Sequence, residues 1–387
     1  MPDGTDQFQI SLSESLLDIP SHEWDACAGT DNPFLCHAFL SALEESGSVA
    51  AQAGWAPRHV LIHDETGQLV ACAPLYLKGN SSGEYVFDWN WAEAYQRAGG
   101  DYYPKLLCAV PFTPVTGPRL LVREGLSAPV ADQLKRQLIS AMASIAKSAN
   151  LSSVHLNFLI EDDQAVCEDI GMLARVGLQY HWTNDGYESY DDFLSALSSR
   201  KRKALKKERR EAQKDVEIER LSGADIQPHH WDAMYRFYMD TGARKWGQPY
   251  LNRTFFDLLG ERLSDKVVLI MANQDGETVA GALNLLGSDA LYGRYWGCSK
   301  DIRYLHFELC YHQAIDEAIA RGLKRVEAGA QGEHKIARGY LPTLTHSAHF
   351  IRDANFSDAI KDFLIHERQA IEHEFKLLME DSPYKKG

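Results

Sequence analysis

The sequence predicts an α/β (α+β) protein of two tandem domains, each built on a mixed central sheet flanked by helices. Three observations predict it. The chain has 387 residues, beyond the ~250 to 300 at which one hydrophobic core stops growing. Short apolar runs alternate with helical patterns in both halves, which argues against an all-β sandwich or a helix bundle. A weak internal repeat also divides the chain: a turn, a small-residue strand and an aromatic segment occur at Asp64–Ala71 with Tyr85–Trp89, and again at Asp275–Ala280 with Tyr292–Trp296. In each half a helix then runs into a strand, from Ile145 to His155 and from Ile319 to Glu327, so one supersecondary unit occurs twice. The boundary is placed near 185, giving domains 1–185 and 186–387.

Each element has a local reason. In the first half, Asp64 to Gly67 forms a turn between a strand and the small-residue strand ending at Ala71, and Tyr85 to Trp89 reads as an aromatic strand. Val130, Leu134, Leu138, Met142 and Ile145 recur at helical spacing, which predicts a helix over about 130–149. The acidic turn at Glu161 and the polar aromatic stretch from Tyr180 to Tyr190 form the crossover. A helix beginning near Asp191 follows and carries a basic segment to about 214. In the second half, Phe307, Cys310, Tyr311, Ala314, Ile315 and Ala318 form one apolar stripe, an amphipathic helix. A last helix over 357–379 opens at Ser357 and is striped by Ile360, Leu364, Ile371, Phe375 and Leu378.

Composition excludes several classes. Hydrophobic residues at 45% and charged residues at 24% match ordinary globular proteins, so neither disorder nor a fibre is indicated. No apolar run approaches the ~18 residues of a membrane span, and the first residues lack the basic and apolar regions of a signal peptide; a cytoplasmic location is expected. Seven cysteines without a Cys-x-x-Cys pair argue against a disulfide framework or a structural zinc site, and no metal is expected. No Gly-x-Gly-x-x-Gly or Walker turn is present, which disfavours dinucleotide and nucleoside-triphosphate enzymes. Net charge is −14, yet residues 200–210 hold eight basic residues and one acidic. Such a concentrated run in an acidic chain suits a landing site for phosphates.

The most informative segment is 326–340, where a short apolar strand runs into a turn carrying Glu333, His334, Lys335 and Arg338 beside Gly329 and Gly332. Acyl transfer to an amine needs a proton acceptor, a cation for the developing oxyanion and close backbone N–H groups. Glu333 and His334 are the first candidate bases, with Lys335 and Arg338 as cations. His306 and Glu308 are a second pair, following a strand that carries Arg294, Tyr295 and Trp296; Trp89 is a further candidate for a substrate wall.

The strings Asn32–His37, Gly83–Trp89, Val110–Arg119, Gly293–Cys298, Leu305–Glu308 and Gly329–Lys335 resemble the FemAB-like family of bacterial N-acyltransferases. The resemblance implies two tandem GNAT-like acyl-CoA N-acyltransferase domains, and kinship with enzymes that move amino acids from aminoacyl-tRNA to peptidoglycan precursors. It implies N-acyl or aminoacyl transfer from a thioester or ester to an amine by direct attack; the alternative is a non-catalytic protein that recognises a cell-wall precursor or an acyl-carrier partner. One departure bears on the donor. GNAT enzymes hold the coenzyme A pyrophosphate on a glycine-rich loop at a helix N-terminus, but the stretch Ser299–Phe307 has no glycine. Lys300 and Arg303 are left as side-chain phosphate contacts. Lys201, Lys203, Lys206 and Lys207 then suit a larger phosphorylated donor, so acyl-CoA, acyl-carrier protein and aminoacyl-tRNA are all open.

Overall fold

A computed structural model describes residues 8–245, 249–329 and 332–385. The chain forms two compact units, residues 1–177 with 344–372, and residues 178–343 with 373–387. The sequence reading places a single boundary near 185; the contacts divide at 177/178, and the chain crosses back at 343/344 and again at 372/373. The reason is strand pairing: His349 lies opposite His155 in an antiparallel ladder, which ties a C-terminal strand into the first unit.

In chain order the first unit contains β1 (Gln9–Ser13), α1 (Ser21–Ala28), α2 (His37–Glu45), β2 (Trp55–Pro57), β3 (His59–His63), β4 (Leu69–Ala73), β5 (Leu75–Lys78), α3 (Trp89–Arg97), β6 (Lys105–Cys108), β7 (Leu121–Val122), α4 (Ala128–Ser148), β8 (Ser153–Leu159) and α5 (Glu161–Asp169). β9 (Leu173–Thr183) leads to the second unit, with α6 (Tyr190–Ala196), α7 (Ser199–Ala212), β10 (Glu217–Ser222), α8 (Pro228–Lys245), α9 (Arg253–Leu263), β11 (Val267–Gln274), β12 (Glu277–Leu286), β13 (Ala290–Cys298), α10 (Leu305–Phe307), α11 (Gln313–Ala320) and β14 (Arg325–Glu327). β15 (Leu341–Ile351) and α12 (Ala354–Glu380) close the chain. No helix among the described residues is long and apolar enough to cross a membrane.

In the first unit β2, β5, β6, β8 and β15 are neighbours in that order, and β6 and β8 run parallel. The predicted helix is α4, and its Leu134, Leu138 and Met142 pack on Leu106, Val154 and Leu156. The opposite face of the same strands is polar yet buried, with Lys78, Lys105, His155 and His349. This explains a misreading. Tyr85 to Phe87 is a loop and Trp89 opens α3, because Ser81, Glu84 and Asp88 all reach the buried Lys105 ammonium and an extended strand could not deliver all three.

The second unit orders its strands β10, β11, β12, β13, β14, β9, antiparallel except for β13 with β14. Trp182, Phe193, Leu291, Ile315, Val326 and Tyr340 form the core on its helical side. The duplication holds at this level: in each unit a helix, α4 or α11, leads into a strand parallel to an earlier one. The expected single helix from Asp191 is two helices, because Leu197 is extended, with φ −83° and ψ 154°, and bridges to Tyr384.

Candidate active site

A site forms in the second unit where β13 and β14 part. The two strands pair only over Ala290–Tyr292 and Arg325–Glu327, after which β14 ends and β13 continues to Cys298. A bulge widens the divergence: Leu283 faces Tyr295 and Asn284 faces Gly293, so Arg294 is the extra residue and is turned out of the ladder. The result is a cavity of about 100 Å³ whose walls include Asn284, Tyr295, Trp296, His306, Cys310 and Tyr311. Arg294, Tyr295, Trp296 and His306 thus meet at one place; in the sequence the first three are expected as substrate contacts and His306 as a base. Trp89 belongs to the first unit, exposed at the start of α3 against Phe87.

One wall is helical and irregular. Between α10 and α11 the segment Glu308–His312 is a π turn, a wide turn that recurs at functional sites. It brings Gln313 Nε2 to Glu308 Oε1 at 2.8 Å, five residues on. Glu308 is wholly buried and also accepts from Arg209 Nη2 at 3.0 Å and Gln213 Nε2 at 2.6 Å. The carboxylate is consumed by these bonds, so the sequence reading of Glu308 as a substrate base is corrected. It is one end of a buried ion pair. Arg209, from the basic run, likewise points inward, stacking 4.1 Å from the Tyr190 ring.

Next to Tyr311 lies the 3-10 turn Glu333–Arg338, which is joined to that wall residue through His334. His334 is exposed, with Nε2 2.9 Å from Tyr311 Oη and its ring 6.4 Å from that of His306. Gly332 has φ +118° and a Cβ there would overlap the His334 ring, so glycine is what lets the imidazole fold back. Burial pushes the Tyr311 phenol up, so it keeps its proton at neutral pH. Lys335 is 1% exposed and Nζ donates to Gly329 O at 2.8 Å; burial pushes its ammonium down to about 7. Arg338 donates to both carboxylate oxygens of Glu208, at 2.8 and 2.7 Å, and to His334 O at 2.7 Å, while lying 3.4 Å from the Phe307 ring. It clamps the turn to α7 and is not open to substrate. Glu333 is exposed.

The expected phosphate contacts lie on surfaces. Lys300 reaches Gln274 Oε1 at 3.2 Å, and Arg303 lies 4.0 Å from Glu211. On α7, Lys206 pairs with Asp191 at 2.8 Å and Lys201 is half-buried, whereas Arg200, Lys203, Lys207 and Arg210 are exposed at helical spacings that place them on one stripe. Tyr311 and Glu208 escaped the sequence reading as site residues: the first looked like core within an apolar stripe, and the second was the lone acid in a basic run.

A family model described as FemAB-like, peptidoglycan biosynthesis/recognition, matches residues 15–386. Among solved structures the chain is similar to FemX, at 12% identity over 89% of this chain and 98% of that one, with a TM-score of 0.55. It is also similar to L-PGS from Bacillus licheniformis, at 10% identity over 87% and 98%, with a TM-score of 0.50. At such identities the likeness is one of fold. No curated protein matches the sequence.

Proposed function

Because this chain belongs to the FemAB-like family, we propose that it transfers an acyl or aminoacyl group from an ester or thioester donor to an amine, at the cavity where β13 and β14 part. The observation that carries the reading is the hydrogen bond between Tyr311, in the wall of that cavity, and His334. With Tyr311 Oη–H donating to His334 Nε2 at 2.9 Å, the phenol oxygen takes a proton as it passes its own to the imidazole. The amine nitrogen forms its bond to the acyl carbon and gives its proton to Tyr311 Oη as the phenol proton passes to His334 Nε2. As the carbon–oxygen or carbon–sulfur bond of the donor breaks, Tyr311 gives its proton to the leaving atom and recovers one from Nε2. One proton moves from amine to leaving group, and both side chains are restored. Lys335, poised near neutrality, supplies positive charge to the oxyanion when protonated.

The donor is phosphorylated and larger than coenzyme A: the loop before α10 has no glycine, with Tyr304 at φ +65° in its place, while the exposed stripe of α7 offers four cations. The test is transfer measured by mass spectrometry with acyl-CoA, acyl-carrier-protein and aminoacyl-tRNA donors and an amine acceptor. His334→Ala and Tyr311→Phe are expected to lower kcat by about 10²- to 10³-fold, and Glu333→Gln by less than about threefold. Binding of a donor without turnover would instead support the recognition-protein reading.

A further inference from the structure

Asn284 is a buried polar side chain in the cavity wall that the transfer steps above leave unused. It lies on β12 opposite Gly293, at the bulge that parts the strands, and is 1% exposed. It shares a strand face with Ala282, and both line the cavity. Its Nδ2 donates to two backbone carbonyls, Val268 O at 3.2 Å and, more weakly, Ala282 O at 3.4 Å. Two carbonyls can face only the nitrogen end of an amide, so the orientation of the group is fixed. Among the described residues Oδ1 then has no hydrogen-bond donor. A Cβ on Gly293 would sit 3.4 Å from Oδ1 and 3.5 Å from Ala328 Cα, and Gly293 and Ala328 line the same cavity. The missing side chain therefore leaves the cavity open in front of Oδ1. The wall also has a distinct charge: among the described residues that line it there is no Asp or Glu, and Arg294 brings a positive charge. An ammonium would find no counter-ion there, whereas a neutral amine would find acceptors. Neutral is also the form that attacks, since an amine of pKa ~10 has no free lone pair until it loses a proton.

We propose that Asn284 Oδ1 and Tyr311 Oη together hold the attacking nitrogen as a neutral primary amine, one N–H on each oxygen, with the lone pair left for the acyl carbon. Both residues line the cavity. As the nitrogen bonds to the acyl carbon, the N–H on Tyr311 is the one given up. The other stays on Asn284 in the amide that forms, so the proton count of the transfer steps is unchanged. The same two oxygens select the substrate. A secondary amine has a single N–H, which Tyr311 must receive, and Asn284 is left facing an alkyl group. A site built to pair two N–H groups disfavours an analogue that lacks one, because its buried acceptor goes unmet. The inference deepens the transfer reading and rests on it for the role of the nitrogen.

The probe is trifluoroethylamine, whose electron-withdrawing fluorines keep it a free base at neutral pH and report its binding to the full-length protein by fluorine NMR. Its N-methyl derivative, with one N–H, and ethylamine, protonated at neutral pH and read by displacement, are the comparisons. The unaltered protein is expected to bind trifluoroethylamine at least tenfold more tightly than either. Asn284→Leu and Tyr311→Phe each remove one acceptor and should erase the preference for the primary over the secondary amine. Equal affinity for those two amines in the unaltered protein, tighter binding of ethylammonium, or a preference that survives Asn284→Leu would overturn the assignment. The probe comparison needs no variant, so it decides even where a variant is unstable. A side chain that only pinned the bulge would change both affinities together and leave their ratio as it was. In transfer assays trifluoroethylamine should compete with the acceptor; competition with an aminoacyl donor instead would give the seat to the donor's α-amine and overturn the proposal. None of the binding arms requires turnover; a protein that shows the preference yet transfers nothing would sink the transferase reading and leave the amine seat standing.

Discussion

Lys335 concentrates the conflict between stability and chemistry in one side chain. An ammonium buried beside a single carbonyl is pushed from 10.5 to about 7, so at neutral pH folding carries the cost of either desolvating or deprotonating it. The sign follows from the lowered value. The unfolded chain holds this proton up to about 10.5 and the folded chain only to about 7, so stability rises with pH between those limits and is lowest below 7. Lys335→Met is therefore expected to be more stable at pH 7, by roughly 2 kcal/mol in a denaturant melt, while transfer falls. An inflection in kcat/KM near 7 is expected in the unaltered enzyme and absent in Lys335→Met; a variant both less stable and equally active would contradict this. The turn that carries His334, Lys335 and Arg338 was legible in the sequence because charged residues crowd it after a strand; that Arg338 is spent on Glu208 was not. Tyr311 was not legible either, because a tyrosine in an apolar helical stripe reads as core until its hydroxyl is seen against His334.

At the scale of elements, α7 is the piece whose two faces differ most. Its inner face sends Glu208 to Arg338 and His312 and Arg209 to Glu308 and Asp316, so the basic helix braces the 3-10 turn and the π turn together. Removing one partner of a buried pair strands the other, and Glu308→Ala should cost about 3 kcal/mol of folding stability. A urea melt checks this; unchanged stability with lost activity would restore Glu308 as a chemical group. A second prediction concerns β8 and β15, where His155 Nδ1 and His349 Nδ1 lie 2.7 Å apart and share one proton. Burial pushes His155 down to about 3 and His349 down as well. As pH falls from about 6.5 toward 3 the unfolded chain takes up protons that the folded chain refuses, so stability is lost across that window, on the order of 4 kcal/mol for His155 alone. Urea melts from pH 7 to 4 should show this slope, and His155→Asn should flatten it. Helix periodicity announced α4, α11 and α12 in the sequence. The loop before α3 stayed hidden, because an alternation that looks like a strand cannot reveal that its acids turn toward a buried lysine.

For the whole molecule the division of labour is chemical. The first unit buries a network of lysines, acids and histidines, and the second holds the cavity, the Tyr311–His334 pair and the basic stripe. A chain of net charge −14 meets a polyanion only through such a stripe. Charge reversal at Lys203 and Lys207 should weaken aminoacyl-tRNA binding and lower the slope of log affinity against log salt by about 1 to 2; an unchanged slope would make α7 a solvated face. The two-unit plan was legible from length and repeat. The return of residues 344–372 to the first unit was not, because it depends on pairing between strands nearly 200 residues apart. The central claim, that the acyl donor occupies the cavity between β13 and β14, is tested most directly by alkylation of Cys310, a half-buried reduced thiol in its wall. Peptide mass spectrometry should show that a donor competent in transfer slows labelling of Cys310 at least tenfold while leaving Cys36 unchanged. A donor bound at saturation with Cys310 labelled at its original rate would contradict the account.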